Sequence, residues 1–450
     1  MRTVCGTAAG DAVVSPVPRL APNTTVWSRT VGTRQSAARG NRLRRRMNPK
    51  LVYVVTVPQS FVLLRGQARY MQAEGFEVSG VSSPGPWTTV FESEEGVSVT
   101  LIEMPRRISP LADLVALTRL VRHLRRIRPT IVHAHTPKGG LLGMISSWVA
   151  RVPVRVYHVH GLPLETSSGL RKALLAISER VSCQLAHRVL AVSRGVRQKS
   201  IDAGLVSAAK VFVPEHGSIN GVDAVNEFGP RISDAENRRA LHAAWRIDEG
   251  ALVIAFVGRI VRDKGVGELA AAWAQIRGAY PSTVLVLAGP EEERDPVPQA
   301  VRDELRRDPR VRMLGLVDQP REVYLSADIV VLPTYREGLP GVPLEAAAMG
   351  LPVVITNATG CEEAVEDGVT ATVVPIGDVG ALANALRAYL DNPELRAAHG
   401  ASGRARVLER FAPPRLWRAH SDVYMELLRT RRPIEYEHLV AQRQRALPRP

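Results

Sequence analysis

Two glutamates, Glu337 and Glu345, lie eight residues apart around the predicted start of a short helix. An apolar run over 328–332 is typical of a buried parallel strand, and Pro343 suits the first turn of the helix that follows. The free N–H groups and partial positive charge of a helix N-terminus attract an anion. A phosphate could lie there while the carboxylates bind neutral hydroxyls on either side, as a sugar nucleotide requires. An ordinary β-turn-α unit with surface acids would have the same pattern.

Two cations follow the first predicted strand of the second half of the chain. Gly258 ends the strand 251–257, and Arg259 and Lys264 flank the loop that leads into the next helix. Two cations beside a helix N-terminus can neutralise a diphosphate. Solvated surface charge is the alternative, but the glycine before the loop and the helix after it favour phosphate binding.

Four histidines lie in two predicted strands, with His133 and His135 on one strand face and His158 and His160 on another. Paired histidines can bind a metal, but neither a carboxylate nor a cysteine accompanies them at ligand spacing, so no metal site is predicted. His160 precedes Gly161 at a strand end, and we expect it to face a cleft and hydrogen-bond a substrate. The other three are expected to pack or to position their neighbours.

Strands and helices alternate twice along the chain, which predicts an α/β protein with two parallel sheets wrapped by helices. Strands are expected at 51–57, 77–82, 97–104, 131–136, 154–160, 188–193 and 210–214, and then at 251–257, 283–288, 311–314, 328–333, 353–356 and 371–375. Helices are expected at 61–74, 109–127, 138–150, 167–187 and 194–203, and then at 265–279, 319–326, 343–349, 378–391 and 393–410. Two doubly wound domains place a ligand cleft between them.

The alternation also predicts the domain boundaries. The first domain is expected to span 47–222 and the second domain 251–412. Between them, residues 223–250 are expected to form an irregular link that contains one short helix. An apolar stripe over 413–430 predicts a helix that crosses back over the domain junction, and 431–450 is expected to be frayed.

Further candidates lie after predicted strands, at the sheet edge where open α/β folds bind ligands. Leu316 follows strand 311–314, where backbone groups could hydrogen-bond a nucleotide base. On the first-domain side, the candidate contacts to a second substrate are Arg65, Gln67, His135 and Lys138. The loop after the first strand contains no G-x-G-x-x-G, so a dinucleotide cofactor is not expected, and no D-x-D pair would hold a metal against a diphosphate.

Composition indicates a globular protein, with 45% hydrophobic and 23% charged residues. The three cysteines are far apart in sequence, which argues against a disulfide framework and suits a reducing, cytoplasmic compartment. The longest apolar runs have strand length, so no transmembrane helix is expected.

The net charge of +15 belongs mainly to the two ends of the chain. Residues 1–46 carry +8 and residues 429–450 carry +4, so a nucleic-acid-binding body is not predicted, whereas attraction to an anionic membrane surface is possible. Five arginines in the helix 111–128 could lie on lipid or form a solvated outer face. Residues 1–46 lack hydrophobic periodicity and are expected to be disordered, with Met47 as the true start.

From about Leu51 to Leu428 the sequence resembles the large retaining glycosyltransferase family 4, which has the GT-B fold. The segments that carry the resemblance are VGRIVRDKG, LGLVD, YREGLPGVPLEAAAMGLPVVIT and GCEEAVEDGVTATVVP, and the spacing of Glu337 and Glu345 matches the family's E-x7-E signature. The segments VHAHTPKGGLLG, YHVHGL and GSINGVD resemble its bacterial surface-polysaccharide branch, whose members extend lipid-linked sugars.

The resemblance implies a role for each candidate. Arg259 and Lys264 would hold the donor diphosphate, and Glu345 would bind the ribose hydroxyls. Glu337 would hold the donor sugar together with the N–H groups of Gly338 and Leu339. His160 would contact that sugar from the opposite domain. Gly258 and Leu316 complete the implied donor-binding set.

The resemblance also implies the reaction. A glycosyl group would pass from a nucleotide sugar, expected to be a UDP-sugar, to a glycan or polyprenyl-diphosphate-linked acceptor at the inner membrane face. The anomeric configuration would be retained, and the leaving phosphate would help to deprotonate the acceptor. Neither a metal nor a cofactor would be needed, because the two cations and the helix dipole stabilise the leaving group.

Two features depart from the family pattern. PQSFVLLRGQ replaces a Gly-Gly loop after the first strand, and Ala371 replaces a glycine before the last strand. A nucleotide-sugar epimerase of the same fold is one alternative, against which the glutamate spacing with Arg259 and Lys264 argues. A non-catalytic nucleotide-sugar-binding protein is another, against which the presence of both glutamates, both cations and His160 argues.

Overall fold

The computed structural model describes residues 48–107, 109–231, 233–293 and 295–446. The basic extension 1–46 and the last residues of the C-terminal tail lie outside this part of the chain. Two parallel sheets organise the described residues, as the alternation of elements predicts.

The first sheet has seven strands in the order β3-β2-β1-β4-β5-β6-β7, and all its pairings are parallel. Its strands are β1 (Lys50–Val54), β2 (Glu77–Ser82), β3 (Ser98–Leu101), β4 (Ile131–His135), β5 (Val154–Val159), β6 (Arg188–Ala191) and β7 (Val211–Phe212). The helices beside them are α1 (Gln67–Ala73), α2 (Pro86–Glu95), α3 (Pro110–Ile127), α4 (Pro137–Val149), α5 (Gly169–Leu185) and α6 (Arg194–Asp202). The central strands are buried on both faces, which explains their continuous apolar runs.

The second sheet has six parallel strands in the order β10-β9-β8-β11-β12-β13. They are β8 (Leu252–Val257), β9 (Thr283–Ala288), β10 (Val311–Gly315), β11 (Ile329–Leu332), β12 (Val353–Thr356) and β13 (Ala371–Val374). The helices of this half are α7 (Asp234–Ala244), α8 (Val266–Ile276), α9 (Gln299–Arg307), α10 (Pro320–Ser326), α11 (Gly341–Ala348), α12 (Cys361–Ala364), α13 (Val379–Asp391) and α14 (Pro393–Arg410).

The C-terminal helix α15 (Pro413–Arg431) returns from the second domain to the first, as its apolar stripe predicts. Val423, Tyr424, Leu427 and Leu428 belong to the same buried cluster as β1 and α1 of the first domain. This confirms the GT-B arrangement, in which two Rossmann-like domains are joined by a helix that crosses back.

Three expectations about local structure are wrong. The helix expected at 61–74 is interrupted, because a 3-10 turn over Pro58–Leu64 ends before Gly66, which has a φ of +77° and packs against the ring of Trp417. The helices α2 and α9 were not predicted, since both are short and rich in polar residues. The tail expected to be frayed forms α16 (Pro433–Ala446).

Helix α16 packs on the first domain and on α15. Leu439 is fully buried, Tyr436 packs on the same cluster, and the Arg443 guanidinium lies 2.8 Å from a carboxylate oxygen of Glu74 beside α1. The contact with Glu74 joins residues far apart in sequence, so a local sequence pattern does not show it. Among the described residues, no helix has the length and apolar composition needed to cross a membrane.

Candidate active site

The two loops that carry the donor-site candidates pack directly on each other. Gly265 has a φ of +71°, and a Cβ there would lie 1.9 Å from the carbonyl oxygen of Pro333. The backbone N–H of Tyr335 donates to the carbonyl of Asp263 over 2.9 Å. The loop after β8 is therefore fixed against the loop after β11, at the carboxyl edge of the second sheet.

Lys264 and Glu337 form an ion pair across these two loops. Only 17% of the Lys264 side chain and 12% of the Glu337 side chain are exposed, so solvent screens the pair weakly. A cation for a phosphate and a carboxylate for sugar hydroxyls thus lie side by side, as the resemblance implies.

Arg259 also has a carboxylate partner. Its guanidinium donates to Glu292 over 2.8 Å, and the same carboxylate lies 3.4 Å from Arg106 of the first domain. Burial alone would raise the pKa of Glu292, but the two arginines outweigh it and hold the pKa below its usual range. Glu292 therefore connects a candidate phosphate-binding cation to the facing domain.

Helix α11 begins beside this cluster of charges. Pro340 is its N-cap, and a proline side chain has no hydrogen-bond acceptor. The N–H groups of the first turn therefore have no side-chain cap. Glu345 lies in the second turn and accepts a 2.7 Å hydrogen bond from Tyr324. Burial raises the pKa of Glu345, while the Tyr324 hydroxyl opposes that rise only in part.

The two domains touch at Gly338. A Cβ on Gly338 would lie 1.9 Å from the carbonyl oxygen of His160, and a Cβ on Gly360 would lie 1.8 Å from the carbonyl oxygen of Gly338. Leu339 packs against the hydrophobic cores of both domains. The structure therefore brings His160 of the first domain against the Glu337–Gly338 segment of the second.

His160 is bonded on its inner side to another candidate. The His135 Nδ1 and His160 Nε2 atoms are 3.1 Å apart. Burial lowers the pKa of His160 to about 3 and the pKa of His135 well below its usual range, so both imidazoles are neutral near pH 7.

A cluster of five imidazoles lies beneath the cleft. Its members are His133, His135, His158, His160 and His420. Nitrogens of the first three lie within 4.8 Å of one another, close enough for shared metal ligation. Each of these three rings is buried, so they belong to the interior rather than to the cleft surface.

Two of the acceptor-side candidates do not reach the cleft. Gln67 is 0% exposed, and its amide meets the His420 Nδ1 atom over 2.8 Å, so the expected direct contact with a substrate is wrong. His135 is likewise buried beneath His160. Sequence position did not reveal that His420 of helix α15 bonds to Gln67 or that His160 lies over His135.

The other two acceptor-side candidates are already in ion pairs. Lys138 lies 2.6 Å from Asp113 and donates to backbone carbonyls of the loop before α3, so it fastens that loop to α4. Arg65 is exposed and lies between Glu94 and Glu227. Arg65 remains accessible to a substrate, whereas Lys138 already bonds to Asp113 and to the loop before α3.

The remaining donor-side candidates lie at the ends of neighbouring strands. Gly258 follows β8, and a Cβ on Gly289 after β9 would lie 1.9 Å from its carbonyl oxygen. Leu316 follows β10 and is 71% exposed, so its side chain is free to pack on a planar base. The close backbone contact explains the glycine at position 289, and the φ of +151° explains the glycine at position 258.

Sequence reasoning missed several residues that complete the site. Glu292 follows β9, and its position after a strand end was a usable signal. Tyr324 and His420 lie on helices, far from any strand end, and carried no signal. Arg336 donates to Thr166 of the first domain over 3.2 Å and to Asp263 over 2.8 Å, which adds an interdomain tie.

Comparison with known proteins agrees with this architecture. Two Rossmann-like domains with a charged cleft between them are the arrangement found in GT-B glycosyltransferases. The family model "Glycosyl transferases group 1" matches residues 237–406, and the model "Glycosyl transferase 4-like domain" matches residues 62–215. The chain belongs to this family of glycosyltransferases, and it is an enzyme of that class.

Curated relatives include glycosyltransferases of capsular polysaccharide and lipid-linked sugar synthesis. The chain is 30% identical over 382 residues to the capsular polysaccharide biosynthesis glycosyltransferase CapM of Staphylococcus aureus, covering 85% of this chain and 98% of CapM. It is 26% identical over 295 residues to an Escherichia coli UDP-Gal:alpha-D-GlcNAc-diphosphoundecaprenol alpha-1,3-galactosyltransferase, covering 64% of this chain and 74% of the relative.

Solved structures share the fold. HepE of Anabaena, in complex with UDP and glucose, superposes with a TM-score of 0.71 at 22% identity, covering 84% of this chain and 100% of HepE. Sucrose-phosphate synthase of Thermosynechococcus elongatus superposes with a TM-score of 0.69 at 19% identity, covering 85% and 100%.

Proposed function

We propose that this glycosyltransferase moves a sugar from a UDP-sugar to a polyprenyl-diphosphate-linked acceptor, with retention of the anomeric configuration. The observation that carries the proposal is the convergence of Lys264, Arg259, Glu337 and His160 at one cleft. The relative from Escherichia coli uses UDP-Gal and a diphosphoundecaprenol-linked sugar, and HepE was solved with UDP. Both support a UDP-sugar donor here.

The donor diphosphate would lie on the N–H groups at the start of α11, between Arg259 and Lys264. Its charge would compete with Glu292 for Arg259 and with Glu337 for Lys264. Once Lys264 turns to the phosphate, the Glu337 carboxylate can accept hydrogen bonds from sugar hydroxyls. Glu345, held by Tyr324, would accept hydrogen bonds from the ribose.

Transfer would proceed on one face of the sugar. The bond between the anomeric carbon and the phosphate oxygen breaks, the acceptor oxygen bonds to the same carbon, and the acceptor proton passes to the leaving phosphate. Negative charge grows on the leaving diphosphate, where Arg259, Lys264 and the helix N-terminus stabilise it. The two cations supply the stabilisation for which other enzymes use a metal ion, so we propose a metal-independent reaction.

A membrane surface fits one side of the first domain. Helix α4 packs between α3 and α5. Near their N-terminal ends, α3 and α5 expose apolar side chains, namely Leu111, Leu114, Val115, Leu170, Leu174 and Ile177. Exposed arginines lie further along α3, including Arg119 and Arg122. Apolar anchors with flanking cations suit an anionic lipid surface, which would bring a lipid-linked acceptor to the cleft.

Product analysis tests the reaction. Purified protein is incubated with a UDP-sugar and a polyprenyl-diphosphate-linked sugar, and the new linkage is examined by NMR. We expect a product with the same anomeric configuration as the donor, formed equally well in the presence of a chelator. An inverted linkage would contradict retention, and loss of activity on chelation would contradict metal independence.

Vesicle binding tests the membrane surface. We expect the protein to sediment with vesicles that contain phosphatidylglycerol and to sediment less when Leu111→Asp and Leu170→Asp are combined. Ile434→Asp is the matched control, since Ile434 is 72% exposed on α16 and Leu111 is 82% exposed on α3. Equal sedimentation of the double variant and the wild type would contradict the assignment of this surface.

A further inference from the structure

The hydrogen bond between His135 and His160 must carry a single proton. Both imidazoles are neutral near pH 7, so each ring has one N–H and one bare nitrogen. Across the 3.1 Å contact, either His135 Nδ1 donates to His160 Nε2 or the reverse. The direction of this hydrogen bond decides whether the other nitrogen of His160, Nδ1, is a donor or an acceptor.

The second nitrogen of His135 decides between these two arrangements. His135 Nε2 is buried and has no hydrogen-bond partner among the described residues. If the proton were on Nε2, a buried N–H would be left unpaired, which folded proteins rarely tolerate. If the proton is on Nδ1, only a lone pair is left unpaired and the N–H is used. The second arrangement is therefore the more stable one.

We propose that His135 is a positioning residue that fixes the tautomer of His160, so that His160 offers its Nδ1–H as a hydrogen-bond donor in the cleft. With its Nε2 accepting from His135, His160 carries its own proton on Nδ1. It would donate to an oxygen of the donor sugar, and this inference rests on the proposed function for the identity of that ligand.

The interior of the first domain keeps the His135 ring in place. Its ring centroid lies 4.1 Å from that of His133 and 5.8 Å from that of Tyr53. The His133 Nδ1 atom is in turn 2.6 Å from the hydroxyl of Tyr424 on α15. Because the sheet and the crossing helix both pack on this cluster, His135 cannot rotate to exchange its two nitrogens without disturbing its neighbours.

Two substitutions at His135 distinguish the position of its hydrogen-bonding nitrogen from the size of its side chain. The asparagine amide introduced by H135N would lie near the place of Nδ1 and can still donate to His160, whereas the glutamine amide introduced by H135Q reaches instead towards the place of Nε2. We expect H135Q to lower kcat by about 10- to 100-fold, the size of loss seen when the partner that orients a metal-bound histidine is removed. H135N should keep most of the activity, and the KM for the donor should change less than kcat.

His399→Asn is the matched control, because His399 is a buried histidine that bonds to Tyr389 in the second domain, outside the cluster. Its kcat should stay close to that of the wild type. An H399N variant as slow as H135Q, or an H135N variant no better than H135Q, would overturn the proposal. Thermal unfolding of each variant verifies that the compared proteins are folded.

A measurement without turnover separates this inference from the proposed function. In the full chain with 15N-labelled histidine, NMR distinguishes a protonated from a bare ring nitrogen, and His160→Asn identifies the His160 signals. We expect the Nδ1–H form in the wild type and in H135N. A wild-type Nε2–H form would overturn the inference, as would a stoichiometric metal bound to His135 Nε2, even if the enzyme transfers sugar as proposed.

Discussion

At the residue scale, each of the two candidate phosphate-binding cations is paired with a carboxylate. Lys264 pairs with Glu337, and Arg259 pairs with Glu292. These partners keep the charges of the cleft nearly balanced and hold the cationic side chains in the direction of the cleft. A bound diphosphate must replace the carboxylates, so donor affinity depends on the acids as well as on the bases.

The first prediction concerns Lys264 and Glu337. Lys264→Ala removes a charge from the leaving group and Glu337→Ala removes an acceptor for sugar hydroxyls, so each should lower kcat by about 10²- to 10³-fold or more. Steady-state turnover with the preferred donor measures the loss, and circular dichroism checks folding. Arg302→Ala, which removes a surface ion pair with Glu291, is the control. Wild-type turnover in either site variant would refute its assigned role.

The second prediction concerns Glu292. Because this carboxylate competes with the diphosphate for Arg259, Glu292→Gln should bind UDP several-fold more tightly than the wild type does. Isothermal titration with UDP measures the change. Glu291→Gln is a close control, since Glu291 pairs with Arg302 and Arg306 instead. Unchanged or weaker binding of UDP to Glu292→Gln would show that Glu292 does not oppose the donor.

At the scale of elements, helix α5 is attached to the sheet by a buried acid. Glu179 on α5 accepts a 2.7 Å hydrogen bond from Tyr157 on β5. Burial raises the pKa of Glu179 to about 7, and the Tyr157 hydroxyl offsets that rise only in part. The folded state therefore prefers the neutral acid. Its free energy of unfolding falls as the pH rises from the pKa of Glu in the unfolded chain, about 4.3, through the pKa of about 7 in the folded protein.

The third prediction uses that pH window. Glu179→Gln has no charge to bury, so its free energy of unfolding, relative to that of the wild type, should rise by about 3 kcal/mol between pH 5 and pH 8. Denaturant unfolding at both pH values measures this difference. A pH-independent difference for Glu179→Gln would contradict the raised pKa.

Most elements could be predicted from the sequence because their patterns are local. Buried strands such as β8 and β12 are continuous apolar runs, and α15 has a full apolar stripe. Helices α2 and α16 could not be predicted, because each is held by contacts with parts of the chain that are distant in sequence. The Arg443–Glu74 pair that fastens α16, for example, joins residues far apart in sequence.

At the scale of the whole molecule, the candidate site depends on how closely the two domains approach. Gly338 lies against the backbone of His160, and any side chain there would separate the domains. The residues of each half of the site could be predicted from strand ends. Contacts across the cleft could not, because pairs such as Arg106 and Glu292, 186 residues apart, depend on the domain arrangement.

The fourth prediction concerns this close approach. Gly338→Ala should move His160 away from Glu337 and lower kcat by about 10²-fold, the loss expected for a misplacement of about 1 Å. Turnover and UDP titration measure the effect, and UDP binding should fall less than kcat, since most donor contacts lie in the second domain. Gly267→Ala on α8 is the control, because a Cβ there meets nothing within 4 Å. Full activity of Gly338→Ala would contradict the role of this contact.

The central claim is that this cleft binds and activates a nucleotide sugar. The most direct test incubates the protein with a panel of UDP- and GDP-sugars, without acceptor, and follows nucleotide release by mass spectrometry. Slow release of UDP from one donor by the wild type, absent from Lys264→Ala, is the predicted result. No release and no binding with any donor would contradict the account.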